Sequence, residues 1–161
     1  MSARTDTTLF VRIIELPAVK MARSGQGDLN AFDRWWSALA AQDKSSLFPK
    51  DFLWFNAALG CFEWLYAIPG ELEDTGGYEV FDFPGGLYAV AACQDNDAEV
   101  EKTNRLIHEW IARSEVFTEE TNSGGQNPRY DMGHVITPPQ AKEMMGYGQM
   151  DLFVPIAYRE R

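Results

Sequence analysis

The chain is poor in the residues that build covalent or metal-based scaffolds. It has two cysteines, Cys61 and Cys93, and two histidines, His108 and His134. That is too few for a disulfide framework or an ordinary zinc set. Both cysteines lie in apolar strings and read as buried free thiols. Basic residues are scarce too: 14 Lys and Arg against 24 Asp and Glu leave a formal charge of −10. Nucleic-acid affinity rests on Lys and Arg neutralising phosphates, so this balance speaks against direct nucleic-acid binding. It speaks equally against docking on an anionic membrane surface. No window approaches the roughly 20 apolar residues of a membrane span. The opening MSARTDTTLF lacks the apolar stretch of a secretory signal. The expectation is a soluble, cytoplasmic protein. A P-loop, a G-x-G-x-x-G after a strand and a G-x-S-x-G elbow are all missing. Gly85-Gly86 opens a strand, not a helix, so it does not cradle phosphate. No cofactor and no metal are expected.

What the chain does have is apolar mass. Its 161 residues are 45% hydrophobic and 13% aromatic, enough for one domain, spanning 1–161, with a sizeable core. Residues 8–16, TLFVRIIEL, predict a strand. The stretch around Ser24–Asp28 predicts a loop, with Asp28 or Asn30 capping the next helix. In 30–42, Phe32, Trp35, Trp36, Leu39 and Ala40 recur at helical spacing. Residues 52–58 and 61–68 predict strands, and Pro69-Gly70 a turn. After an acidic, Gly-rich connection with a short strand at 78–83, LYAVAAC (87–93) predicts another strand. The stripe Val100, Thr103, Leu106, Ile107, Trp110 and Ile111 predicts a second helix. A loop at Ser123–Pro128, a strand at 129–136, a short helix QAKEMM and a last strand at 149–158 complete the chain. Each half, about 8–69 and 78–158, thus reads β-α-β-β, a weak internal repeat visible in order more than in identity. Two such units side by side would leave a groove between them for a ligand.

Several strings, in order, resemble the GyrI-like effector-binding domains of AraC- and MerR-type transcription regulators. They are FDRWW (32–36), FLWFN (52–56), FEWLYAI (62–68), FPGGLYAVA (83–91), HEWIARS (108–114), RYDMGHVITP (129–138) and GQMDLFVPI (148–156). The resemblance implies an α+β fold of two pseudo-twofold-related βαββ units, an SH2-like duplicated motif, with an aromatic ligand cleft between them. It implies a small-molecule binding module, sensing or sequestering amphipathic, cationic aromatic compounds in multidrug recognition. An acid on the final strand, matching Asp151, would face that cleft, although the family more often has Glu there. A few relatives hydrolyse cyclopropane-bearing DNA-alkylating compounds, and one inhibits gyrase. A hydrolase and a module that docks a protein partner are therefore the alternatives. The seven residues before the first strand are too short for a helix-turn-helix, so no DNA reader is expected.

Strand parity refines the site. On 149–156, Met150, Leu152, Val154 and Ile156 are aliphatic and belong against the helices. Asp151 and Phe153 then face the cleft; the alternative for Asp151 is a solvated carboxylate at a strand edge. Superposing EWLYAIP on MDLFVPI puts Trp64 over Asp151 and Tyr66 over Phe153. The other register puts Glu63 in the cleft instead. Tyr88, Tyr130, Met132, Trp36 and Trp54 complete the candidate wall, whereas Trp35 and Trp110 read as core filler. Ring faces attract a desolvated cation, and a carboxylate beside them selects flat, lipophilic cations. His134 reads either as a general base or as a hydrogen-bonded structural residue, and His108 as solvent-facing. The acidic DNDAE segment reads as a solvated loop.

Overall fold

A computed structural model describes residues 9–40, 49–56, 60–68, 74–120 and 129–160. The expected turn at Pro69-Gly70, the Ser123–Pro128 loop, and the strand and helix ends at 8, 41–42 and 57–58 lie outside the described residues. The elements are β1 (Arg12–Leu16), β2 (Val19–Arg23), α1 (Leu29–Ala40), β3 (Asp51–Asn56), β4 (Cys61–Ala67), β5 (Glu79–Phe83), β6 (Gly86–Gln94), α2 (Asp97–Arg113), β7 (Phe117–Glu119), β8 (Met132–Val135), α3 (Pro139–Met145) and β9 (Gln149–Tyr158). The fold is α+β, as expected. β2 and β7 add to the expected strands: β2 holds Lys20 and Arg23 in five residues, and β7 is only three residues long, so neither carries a clear strand pattern. None of the described helices is long and apolar enough to cross a membrane.

The starts of α1 and α2 follow local chemistry. Asp28 precedes α1 and its Oδ1 accepts from the Asn30 amide at 2.9 Å. Asn96 caps α2, accepting from the Glu99 amide at 2.9 Å. Each occupies one of the donors that a helix leaves without an internal partner.

One antiparallel sheet runs β1-β6-β9-β8-β3-β4-β2-β5, with β7 added to β9. β1 and β2 are joined by Pro17-Ala18 alone, yet six strand intervals separate them. In a flat sheet that is about 29 Å, at about 4.8 Å per interval. Two linking residues reach only about 10 Å. The same holds for β5 and β6, joined by Pro84-Gly85. The sheet must therefore curl until its ends meet. Gly85 marks the meeting point: at φ +67° it lies where a Cβ would fall 2.5 Å from the Leu16 carbonyl oxygen and 2.6 Å from the Pro17 carbonyl carbon.

The curl gives the sheet an inner and an outer face. Both α1 and α2 lie outside. Following the ladder, Leu152, Gly133, Leu53 and Trp64 are successive cross-strand neighbours and share one side. α2 buries Ile107 and Ile111 against Ala89, Ala91, Leu152, Val154 and Ile156. α1 buries Phe32 against Ala22 and Tyr66. The aliphatic side of β9 does meet a helix, as parity predicts. The inner face is a second core of Leu16, Met21, Phe52, Trp54, Leu65, Phe83, Tyr88, Val90, Met132 and Phe153. Phe153 meets Phe52 edge-on at 5.3 Å and Tyr88 at 6.0 Å.

The first strand of the first half needs correction. The string at 8–16 supplies β1, which pairs with β6. The strand that pairs with β4 ahead of α1 is β2.

Candidate functional site

β3 and β8 meet at the middle of the sheet through one register pair, Leu53 opposite Gly133. Over this short seam, on the outer face, lies a cleft of about 1080 Å³. Its floor is apolar: Leu53, Gly133, Val135, Met150 and Leu152. Gly133 keeps that floor low, since a Cβ there would meet the Met150 methyl at 2.5 Å. One wall is the first turns of α2, with Asp97, Val100, Glu101 and Asn104, and Leu29 at the start of α1 contributes from the other side. Trp54, Phe62, Tyr130 and Asp131 close the end. Trp54 and Tyr130 stack at 3.9 Å and 11°, and Phe62 is 59% exposed. Asp95, Asp97, Glu101 and Asp131 line the cleft, and its described lining contains no Lys, Arg or His.

The wall is tied down. His108 on α2 bonds through Nε2 to Asp131 Oδ2 at 2.7 Å and through Nδ1 to the Glu119 carboxylate. Asn104 Nδ2 donates to the same Asp131 oxygen at 3.1 Å. His108 is thus held between two carboxylates rather than left to solvent. The other histidine is also anchored: His134 Nδ1 donates to the Asp51 carbonyl at 2.8 Å. Nearby, burial pushes the Asp51 carboxyl above its ordinary range, opposed by the His134 ring and by the Trp64 indole donating at 3.2 Å.

The expected site residues fall into three groups. Trp54, Tyr130 and Met132 line the seam cleft, Trp54 and Met132 from the edge of the inner core to which both also belong. Asp151, Phe153, Tyr88 and Glu63 belong to the inner face, where Glu63, Tyr88 and Phe153 are almost fully buried. Asp151 pairs with Arg12, and Glu63 with Arg23. Arg129 lies 4.5 Å over the Tyr88 ring and donates to the Leu87 and Ile156 carbonyls; burial raises the Tyr88 hydroxyl pKa. The third group, Trp36, Trp64 and Tyr66, packs under α1: Trp36 stacks on Tyr66 at 5.1 Å and meets Trp64 at 5.3 Å.

The expectation that Trp64 and Tyr66 share a wall with Asp151 therefore fails. They are on the outer face, and Glu63 occupies the inner one. Glu63 stands opposite Trp54 as Asp151 stands opposite His134, so Glu63, and not Trp64, shares the face of Asp151, while neither acid is in the described lining of the seam cleft. Both faces of β4 carry large apolar side chains, Phe62, Trp64 and Tyr66 on one and Leu65 on the other, so apolar alternation cannot tell them apart. The acidic residues of the seam also lie beyond the expected site. Part of their signal is in DNDAE (95–99), which holds Asp95, the helix cap Asn96 and Asp97; Glu101 follows Asp97 one turn later on α2.

Comparison with known protein families and with curated proteins finds no match. Solved structures do show the fold. The EcmrR C-terminal domain is similar at TM-score 0.63 and 8% identity, covering 93% of this chain and 98% of that one. SAV2435 bound to tetraphenylphosphonium is similar at TM-score 0.52 and 12% identity, covering 92% and 94%. A hydrolase from Listeria innocua is similar at TM-score 0.57 and 10% identity, covering 91% of each chain. These neighbours are consistent with the GyrI-like fold to which the sequence strings point.

Proposed function

We propose that this chain is a cytoplasmic small-molecule binding domain that senses or sequesters amphipathic, cationic aromatic compounds, in the manner of a transcription-regulator effector module. The observation that carries the reading is the seam cleft: an apolar floor and a Trp54–Tyr130 stack, with four carboxylates and no basic side chain in the described lining. Its size suits a drug-sized molecule. Lipophilic rings would bury on Leu53, Val135 and Leu152, while the acidic wall attracts positive charge and discourages anions. A fold shared with a protein bound to tetraphenylphosphonium supports that ligand class. The strand order supports a duplicated architecture. It runs β6-β9-β8 on one side of the seam and β2-β4-β3 on the other, each set with one helix, and the cleft falls between the two.

Calorimetric titration with tetraphenylphosphonium and with neutral triphenylphosphine oxide tests the reading. The cation should bind tighter, and Asp97→Asn with Glu101→Gln should weaken it by about threefold to tenfold. That range follows from roughly 1 kcal/mol of Coulomb attraction in a water-like dielectric, as suits carboxylates on an open cleft wall. Equal binding of the two compounds, with no effect of the double substitution, would remove the cleft from this role.

A hydrolase is the second reading, favoured by the raised carboxyl of Asp51 beside His134. A desolvated carboxyl next to an imidazole is suited to proton transfer. Turnover of a cyclopropane-bearing alkylator that disappears in Asp51→Asn would support it, and turnover no faster than in buffer would exclude it.

A further inference from the structure

The four carboxylates of the seam cleft are not equivalent. Asp95 is paired with Lys142, Oδ2 to Nζ at 3.2 Å. Asp131 accepts from both His108 and Asn104 through one oxygen. Asp97 and Glu101 meet no hydrogen-bond donor or cation among the described residues. Both are exposed, and as residues one turn apart on α2 they are neighbours on one helix face. These two acids stand away from the rings. His108 and Asn104 hold Asp131, and with it the adjoining Tyr130, against the middle of α2. Asp97 precedes Asn104 by about 10 Å along the helix axis, at about 1.5 Å per residue. The sheet measures the separation a second time. The start of α2 is fixed beside the far end of β8, where the Asp95 amide donates to the Gly148 carbonyl at 2.9 Å and Val135 stands opposite Met150. From Asp131 to Val135 an extended backbone runs about 13 Å, at about 3.3 Å per residue. The apolar floor of Leu53, Gly133 and Leu152 lies between the two ends.

We infer that the seam cleft selects arylalkylammonium compounds: a flat ring against Phe62 and the Trp54-backed Tyr130, an apolar tether along the floor, and a terminal ammonium between Asp97 and Glu101. The inference rests on the proposed function and narrows it, because it sets the ring and the charge at opposite ends of the ligand. A cation wrapped in its own rings, such as tetraphenylphosphonium, acts on the two acids through space alone. A tethered ammonium donates hydrogen bonds to them.

The test titrates the wild type and the double variant Asp97→Asn with Glu101→Gln by calorimetry, using naphthylhexylamine, naphthylethylamine and the matching uncharged alcohols. The hexyl tether spans the floor and the ethyl tether does not. Dividing the affinity of each amine by that of its alcohol cancels the extra apolar surface of the longer chain. The double substitution should lower this ratio about fivefold for the hexyl pair, as two exposed ion pairs allow, and by about twofold at most for the ethyl pair. Equal falls for the two tethers, or no fall for the hexyl pair, would overturn the inference. Tetraphenylphosphonium titrated in parallel separates this outcome from the fate of the underlying reading. If the phosphonium binds and responds to the double substitution while the two tethers behave alike, the two-ended ligand is refuted and the cleft keeps its role. If no cation binds, both are refuted.

Discussion

Gly85 carries the closure of the sheet, and replacing it with Ala measures that closure. Two costs act at this position. The first is conformational: φ is +67°, and a side chain in the left-handed region costs about 1–2 kcal/mol. Loss of unfolded-chain freedom offsets about 0.4–1 kcal/mol of that. The second is steric. The new methyl would lie 2.5, 2.6 and 2.7 Å from the Leu16 oxygen, the Pro17 carbon and the Ala18 nitrogen. All three are backbone atoms, of the opposing linker and of the end of β1 that leads into it, so no side chain can swing away. The two linkers must part, at the cost of an overpacked core, about 1–3 kcal/mol. Gly77 supplies the control: it is left-handed at φ +81° with nothing within 4 Å of its would-be Cβ. Gly77→Ala should lose about 1 kcal/mol and Gly85→Ala about 2–4 kcal/mol. In urea, followed by tryptophan fluorescence at a slope of about 2 kcal/mol per molar, the midpoints should fall by about 0.5 M and about 1–2 M. If Gly85→Ala is no worse than Gly77→Ala, the linkers do not press on each other and the curled sheet loses its support.

Two further substitutions probe the ground around the candidate sites. Because burial raises the Asp51 carboxyl, the folded state holds its proton more tightly than the unfolded chain does. The associated stability is present below the ordinary carboxylate pKa and is lost as pH rises through the folded value. Asp51→Asn does not titrate, so its Tm relative to wild type should climb as pH rises above the ordinary carboxylate value of about 4; a flat or falling difference would contradict burial as the cause. Asn96→Ala removes the α2 cap and should cost about 1 kcal/mol, read by chemical denaturation. It should also weaken tetraphenylphosphonium binding, since the first turns of α2 carry Asp97 and Glu101; unchanged affinity would show that the cleft tolerates a frayed wall.

Much of this architecture is set by local pattern. The helical stripe of α2 ends on Ile107 and Ile111, which do face the sheet. β9 spans 149–158 as its sequence predicts, and its aliphatic and mixed faces divide as period-two alternation requires. The caps at Asp28 and Asn96 come from side chains that hydrogen-bond their own backbone. These features depend on neighbours a few residues away, and sequence order supplies those neighbours directly. The sites depend on something else. β4 is apolar on both faces, so only the ladder with β3 shows that Glu63 points inward and Trp64 outward. Asp97, Glu101 and Asp131 become one wall only because β8 meets β3 at a single pair and leaves the seam open between two helix starts. Arg23 finds Glu63, Trp54 and Phe81 because β3, β4, β2 and β5 lie side by side in an order unlike that of the chain. Periodicity tells a strand which of its faces differ; only the assembled sheet, bent by two short linkers, tells each face what it meets.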